Sequence, residues 1–154
     1  MKNRTMILIA AFCLSIAAAA FGADANVGTW KLNEAKSKIP AGAAKNTMVV
    51  YTAAGDSYKC VVDGVDGAGK PTHNEWTGKF DGKDYAVNGD PASDVRTIQK
   101  VDDRHYKISN KKGGKTTLTG TIEFSADGKT RTLTTHGTDA SGKKTTSVAI
   151  YDKQ

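Results

Sequence analysis

The sequence predicts an all-β fold, an antiparallel up-and-down β-barrel of about eight to ten strands, and three observations carry that reading. Short glycine-and-lysine turn signatures recur after residue 60: Asp66-Gly67-Ala68-Gly69-Lys70, Asp81-Gly82-Lys83, Gly113-Gly114-Lys115, Asp127-Gly128-Lys129 and Ser141-Gly142-Lys143. Asp-Gly and Gly-Gly supply the positive φ that a tight hairpin demands, so each signature marks a chain reversal. Between them lie Thr-, Val-, Tyr- and Ile-rich stretches with a period of two, the pattern of a half-buried strand. Finally, several strands are polar on both faces, such as Arg131 to His136. A two-sheet sandwich wants continuous large aliphatics inside, whereas a closed barrel tolerates polar inward positions.

The elements follow in chain order. Lys2 and Arg4 precede an apolar run from Met6 to Phe21 broken only by Ser15, the arrangement of a secretory signal peptide. The run is short for a membrane span, which needs roughly 20 apolar residues. Cys13 lies inside the apolar run behind Phe12, which excludes a lipoprotein attachment site. Small residues satisfy the cleavage rule after Gly22, with Ala20, or after Ala25, with Ala23. We therefore divide the chain into a signal peptide, 1–25, and a single β-barrel domain, 26–154, that is secreted or periplasmic and does not span a membrane.

Val27 to Leu32 reads as the first strand. From Asn33 to Lys45 the alternation lapses, and Pro40 and Gly42 limit any helix to a turn around Glu34-Ala35-Lys36. Thr47 to Ala53 sets Val49 and Tyr51 on one face, and Ser57 to Asp63 puts Tyr58, Cys60 and Val62 in phase. Thr72 to Phe80 aligns Asn74, Trp76, Gly78 and Phe80; a short strand from Asp84 to Val87 ends at Asn88-Gly89-Asp90-Pro91. Ser93 to Val101 opposes Val95, Thr97 and Gln99 to Arg96, Ile98 and Lys100, and His105 to Ser109 presents Tyr106 with Ile108. Thr116 to Phe124 aligns Leu118, Gly120, Ile122 and Phe124, and Thr130 to His136 aligns Arg131, Leu133 and Thr135. Thr145 to Asp152 sets Val148 and Ile150 against Ala149 and Tyr151.

Composition removes several function classes. The chain carries a formal charge of +6, but its lysines are dispersed among turns and strands and many have an acid nearby. A solvated basic surface explains this, and no nucleic-acid interface is expected. Cys60 is the one cysteine beyond the leader, so no internal disulfide forms and Cys60 reads as a small buried hydrophobe. His73 and Glu75 share a strand face but have no third ligand in a local motif, so neither metal nor acid–base chemistry is assigned. The serines lack a nucleophile elbow, and the glycine turns lack the strand–loop–helix context of a phosphate loop. The expectation is a non-enzymatic protein without cofactor.

Aromatics fall in successive strands: Tyr51, Tyr58, Trp76, Tyr85, Tyr106 and Tyr151. Turned inward, they would line a cavity with apolar surface and hydroxyl tips, and these six are the candidate ligand-binding residues. The competing reading makes them packing and cross-strand pairs. Arg96 and Arg131 are anion partners only if their faces turn inward, against the usual exposure of arginine.

Gly28-Thr29-Trp30 at the start of the first strand resembles the Gly-x-Trp signature of the lipocalins and the related calycin barrels. The hairpin turns and the terminal Ala149-Ile150-Tyr151-Asp152-Lys153 are similar to the fatty-acid-binding type of that superfamily. The resemblance implies a ten-strand barrel whose Trp closes one end while the Gly lets the chain pass beneath it. Two features depart from it. Asn33 to Lys45 is too short for the helical lid of the fatty-acid binders, and Ala149 stands where they place a carboxylate-holding Arg. The function expected is binding of a small lipophilic or amphipathic ligand in a barrel cavity. The alternative is an envelope protein-binding, inhibitor or structural module acting through the loops Gly64–Lys70 and Asn88–Asp94 on a protein partner.

Overall fold

The computed structural model describes residues 24–139 and 141–154, and the signal-peptide assignment falls almost wholly outside them. Ten strands form one closed antiparallel barrel: β1 Gly28–Leu32, β2 Lys45–Ala54, β3 Ser57–Val65, β4 Pro71–Gly78, β5 Asp81–Asn88, β6 Val95–Lys100, β7 His105–Lys112, β8 Lys115–Phe124, β9 Thr130–Thr138 and β10 Lys144–Lys153. Each strand pairs with its chain neighbours, and β1 closes the cylinder through Trp30↔Lys153 and Leu32↔Tyr151 on β10. Closure leaves no free sheet edge. Among the described residues no helix is long and apolar enough to cross a membrane.

Turn chemistry sets the corners. Gly69, Gly113, Gly114, Gly128 and Gly142 adopt positive φ in the hairpins where the signatures place them. The Asp81-Gly82-Lys83 signature behaves differently. The reversal occurs one step earlier, at Lys79 and Phe80, and Asp81 already pairs with Gln99 of β6. Gly82, at φ 77°, sits where the register shifts between Asp81 and Asp84, so its freedom makes a bulge in β5 rather than a turn. The expected helical turn exists as a 3₁₀ turn, Glu34–Lys36, whose Lys36 N–H donates to the Asn33 side chain. Lys38 then bridges to Val148, strapping the connection onto β10.

The N-terminal residues 24–27 and the β2–β3, β4–β5, β6–β7 and β8–β9 turns lie at one end of the cylinder, here the lower end. That end is solid. Rings run in a chain from Trp30 to Phe124 at 5.2 Å, to Tyr106 at 5.7 Å and to Phe80 at 5.4 Å. Phe80 also stacks on Tyr58 at 4.2 Å and approaches Tyr51 and Trp76 at 6.0 and 6.2 Å. Trp30 is fully buried, and its indole N–H donates to the Asn26 carbonyl at 2.9 Å. Gly28, at φ 137°, leaves room for the Lys153 stem, whose ammonium lies 5.2 Å from the Trp30 ring centre. The resemblance led us to expect the chain to pass beneath the tryptophan; residues 24–27 lie against it there, through the Asn26 carbonyl, and the Lys153 side chain covers its ring as well.

The upper half is graded. Along β8 the inward positions pass from half-buried Leu118 and Gly120 to buried Ile122 and Phe124. β9 and β10 repeat this, with Thr135 and Leu133 above buried Arg131, and Thr145 and Ser147 above buried Ala149 and Tyr151. On β2 to β6, by contrast, Val49, Val62, Asn74 and Arg96 are buried close to the upper end. The upper inward positions along β7–β10 are therefore more exposed than those along β2–β6.

Gly120 shows how closely the wall is drawn. A side-chain carbon there would stand 2.3 Å from the Thr134 carbonyl oxygen of β9. Gly120→Ala is expected to lower stability by about 1–3 kcal/mol, because two backbones must separate. A urea titration of both proteins checks this.

Candidate functional site

Period-two alternation brings Arg96 and Arg131 to the inside of the barrel, since they are in phase with Ile98 and Leu133. Both are buried, at 6% and 2% exposure. Their partners differ. Arg96 Nε donates to Asn110 Oδ1 at 3.2 Å and Nη2 to Asn74 Oδ1 at 3.4 Å, while Asp90 Oδ2 lies 3.8 Å away. Asn110 is the cross-strand neighbour of Arg96, and Asn74 sits two strands away, so β4, β6 and β7 converge on one guanidinium. Asp90 is held in turn by the Ser93 hydroxyl at 2.5 Å, and Ser93 is buried.

Arg131 has no such set. Its Nε and Nη1 are buried and make no hydrogen bond among the described residues. The guanidinium carbon lies 5.2 Å from the centre of the Tyr151 ring, its cross-strand neighbour, a cation–π contact. A guanidinium is charged at every physiological pH. Burying one without an acceptor costs several kcal/mol, so such groups normally acquire an anion or hydrogen-bond acceptors.

Both arginines act on the same pair of side chains. Burial pushes the Tyr51 hydroxyl far above the ordinary tyrosine range and the Cys60 beside it adds to this, while Arg131 and Arg96 pull the other way. Burial likewise raises the Cys60 thiol against the pull of Arg96, Tyr51 and Arg131. Tyr51 and Cys60 face each other across β2 and β3. The barrel centre is thus a positive site walled by neutral Tyr51, Cys60 and Tyr151. Burial holds the Cys60 thiol in its neutral form.

The six aromatics all point inward but divide by place. Tyr51 and Tyr151 border the arginines. Trp76 is buried and its indole N–H donates to the Arg96 carbonyl at 3.2 Å, so it buttresses that strand. The Tyr106 hydroxyl donates to Asp24 at 2.8 Å and that of Tyr85 to Asp81 at 3.0 Å. With Tyr58, which stacks on Phe80, they belong to the lower aromatic packing. The sequence reading did not single out Asn74, Asn110, Asp90 or Ser93. Only the inward phase of Asn74 with Trp76 and of Asn110 with Ile108 signalled two of them.

Two surface concavities accompany the interior. One, of about 390 Å³, lies at the upper rim among Thr116–Thr119, His136–Thr138 and Lys144–Thr146. Here the β8–β9 pairing ends at Leu118↔Gly137, while β7–β8 and β9–β10 continue to Lys112↔Lys115 and Thr138↔Lys144. The two hairpins part, and the gap opens beside the half-buried inward residues Leu118 and Thr145. The other, of about 430 Å³, is on the outer wall by Lys31–Ala35 and Asp152, where β1 meets β10.

His73 is on the outer face. Its Nδ1 lies 2.7 Å from Asp63 and its Nε2 3.6 Å from Glu75, which also pairs with Lys59 at 3.1 Å. The hydrogen bond that its Nδ1–H donates to the Asp63 carboxylate raises the His73 pKa above its ordinary value. A raised histidine stabilises the fold below its unfolded pKa, and that contribution fades as pH rises through the folded value. An NMR titration is expected to show His73 deprotonating above about 6.5, the ordinary value, and Asp63→Asn to bring it down. Among the described residues no three His, Cys, Asp or Glu side chains are placed to hold a metal ion.

No family model matches this chain, and no curated protein matches it.

Proposed function

We propose that the protein is a non-enzymatic, secreted or periplasmic binding protein for a small amphipathic molecule whose acidic group is received by Arg131 inside the barrel. The carrying observation is the buried Arg131 guanidinium with Nε and Nη1 unpaired among the described residues. A carboxylate or phosphate would accept from that planar fork and offset its burial. Tyr51 and Tyr151 would flank the acid, and Ile108, Leu118 and Leu133, half-buried on the accessible side, would meet the apolar part. Thr135, Ser147 and Asn110 offer polar contacts along the way. Apolar burial contributes about 25 cal/mol per Å² before ordering costs. The parted β8 and β9 hairpins supply the route. The Asn88–Asp94 loop, tied down by Asp90, Ser93 and the Gly113 N–H bond to Asp94, is better suited to covering Arg96 than to gripping a protein partner.

Calorimetric titration with decanoate, decanamide and decanol tests this. Saturable binding of decanoate alone, lost in Arg131→Met, supports the reading. Equal binding of all three, or decanoate binding that survives Arg131→Met, refutes it.

A further inference from the structure

We infer that the export peptidase cuts this chain ahead of Asp24, at the Gly22–Ala23 bond, leaving Asp24 to Val27 as a plug that completes the lower end of the barrel. The inference rests on the secretory reading of the first residues. Of the two bonds that satisfy the small-residue rule, the other, Ala25–Asn26, lies inside a segment the fold uses.

Asp24 is the hub of that segment. One carboxylate oxygen accepts from the Tyr106 hydroxyl at 2.8 Å and from the Asn26 N–H at 3.0 Å, and the other accepts from the Lys100 ammonium at 3.3 Å. Its side chain is only 7% exposed. The Asp24 carbonyl accepts from the Val27 N–H at 2.8 Å, which sets the turn that delivers Asn26. Asn26 is fully buried and its carbonyl holds the Trp30 indole. Ala25 packs on the core cluster.

Hydrolysis at Ala25–Asn26 would remove the carboxylate and leave the buried Tyr106 hydroxyl and the Lys100 ammonium without it. Water would supply a proton and hydroxyl to the broken bond, so the new α-ammonium would sit on Asn26, a residue that is fully buried in the uncut segment. A charge there without a partner is strongly unfavourable. Hydrolysis at Gly22–Ala23 makes the same pair of ends but puts the ammonium on Ala23, one residue outside the plug. It spares every contact above.

The test is to express the full chain with its own leader in an export-competent bacterial host and weigh the exported protein. The expected N-terminus is Ala23. Ala20→Leu, at the third position before that bond, should accumulate precursor, whereas Ala23→Leu, which occupies that position for the other bond, should be processed normally. Asp24→Ala, exported and cut at the same bond, should melt several degrees lower than the wild type. An N-terminus at Asn26, or an unchanged melting temperature in Asp24→Ala, overturns the inference. A leader left uncut on all of the protein overturns the secretory reading beneath it, which the choice between the two bonds cannot do.

Discussion

Replacing Arg131 by methionine is expected to abolish acidic-ligand binding and to make the ligand-free protein more stable. The two effects have one cause. Arg131 is 2% exposed, with two of its nitrogens unpaired among the described residues. Exchanging a poorly compensated buried charge for an apolar side chain of similar volume is stabilising by about 1–4 kcal/mol in comparable cases. Losing the cationic half of a buried ion pair with ligand removes about 2–5 kcal/mol of affinity, or roughly two orders of magnitude and more. Arg96→Met is the contrast. Its side chain already ties Asn74 and Asn110 together beside Asp90, so its removal orphans protein groups and should lower stability by about 1–3 kcal/mol. Urea denaturation of the three apoproteins separates these outcomes, with opposite signs for the two arginines. If both variants lose stability alike, Arg131 is an ordinary structural residue.

Trp30→Ala is expected to remove about 3–5 kcal/mol of stability, much of the reserve of a domain this size. Trp30 is fully buried, packs on Phe124 at 5.2 Å, carries the Lys153 ammonium over its ring and fixes Asn26 through its indole N–H. The cavity left by alanine lies under the N-terminal plug and cannot close by collapse, because β1 is tied to β2 and β10 on both sides. Trp30→Phe retains much of the ring packing but orphans the Asn26 carbonyl, so its loss should be smaller, about 1–3 kcal/mol. Thermal and urea unfolding rank the two variants. A Trp30→Ala protein as stable as the wild type would mean that the lower end is not packed as described.

What could be read in advance follows from distance along the chain. Turns and strand faces are local, so alternation alone assigned Tyr51, Cys60, Trp76, Ile98, Ile122 and Tyr151 to faces, and each is buried inside. The same phase put Arg131 with Leu133, yet the ordinary exposure of arginine argued against an inward charge. The structure resolves that conflict in favour of phase. Asp81-Gly82-Lys83 misled because a positive-φ glycine serves a bulge as well as a turn, and only the pairing with Gln99 distinguishes them. Phe80 was placed at a strand end, although its ring joins Tyr58, Tyr51, Trp76 and Tyr106. Apart from that with Trp76, those contacts, like Arg96 with Asn74 and Tyr106 with Asp24, join residues more than 20 positions apart. Such juxtapositions depend on barrel closure and strand stagger, which no local pattern encodes.

The most direct measurement is a ¹H–¹⁵N spectrum of the arginine Nε–H groups recorded while decanoate is added. The Arg131 resonance is expected to move progressively and saturate, as its unpaired Nε–H gains an acceptor, while that of exposed Arg104 stays in place. Saturation of the ligand with Arg131 unmoved, or shifts confined to Arg104 and the surface lysines, would contradict an acid-receiving site within the barrel.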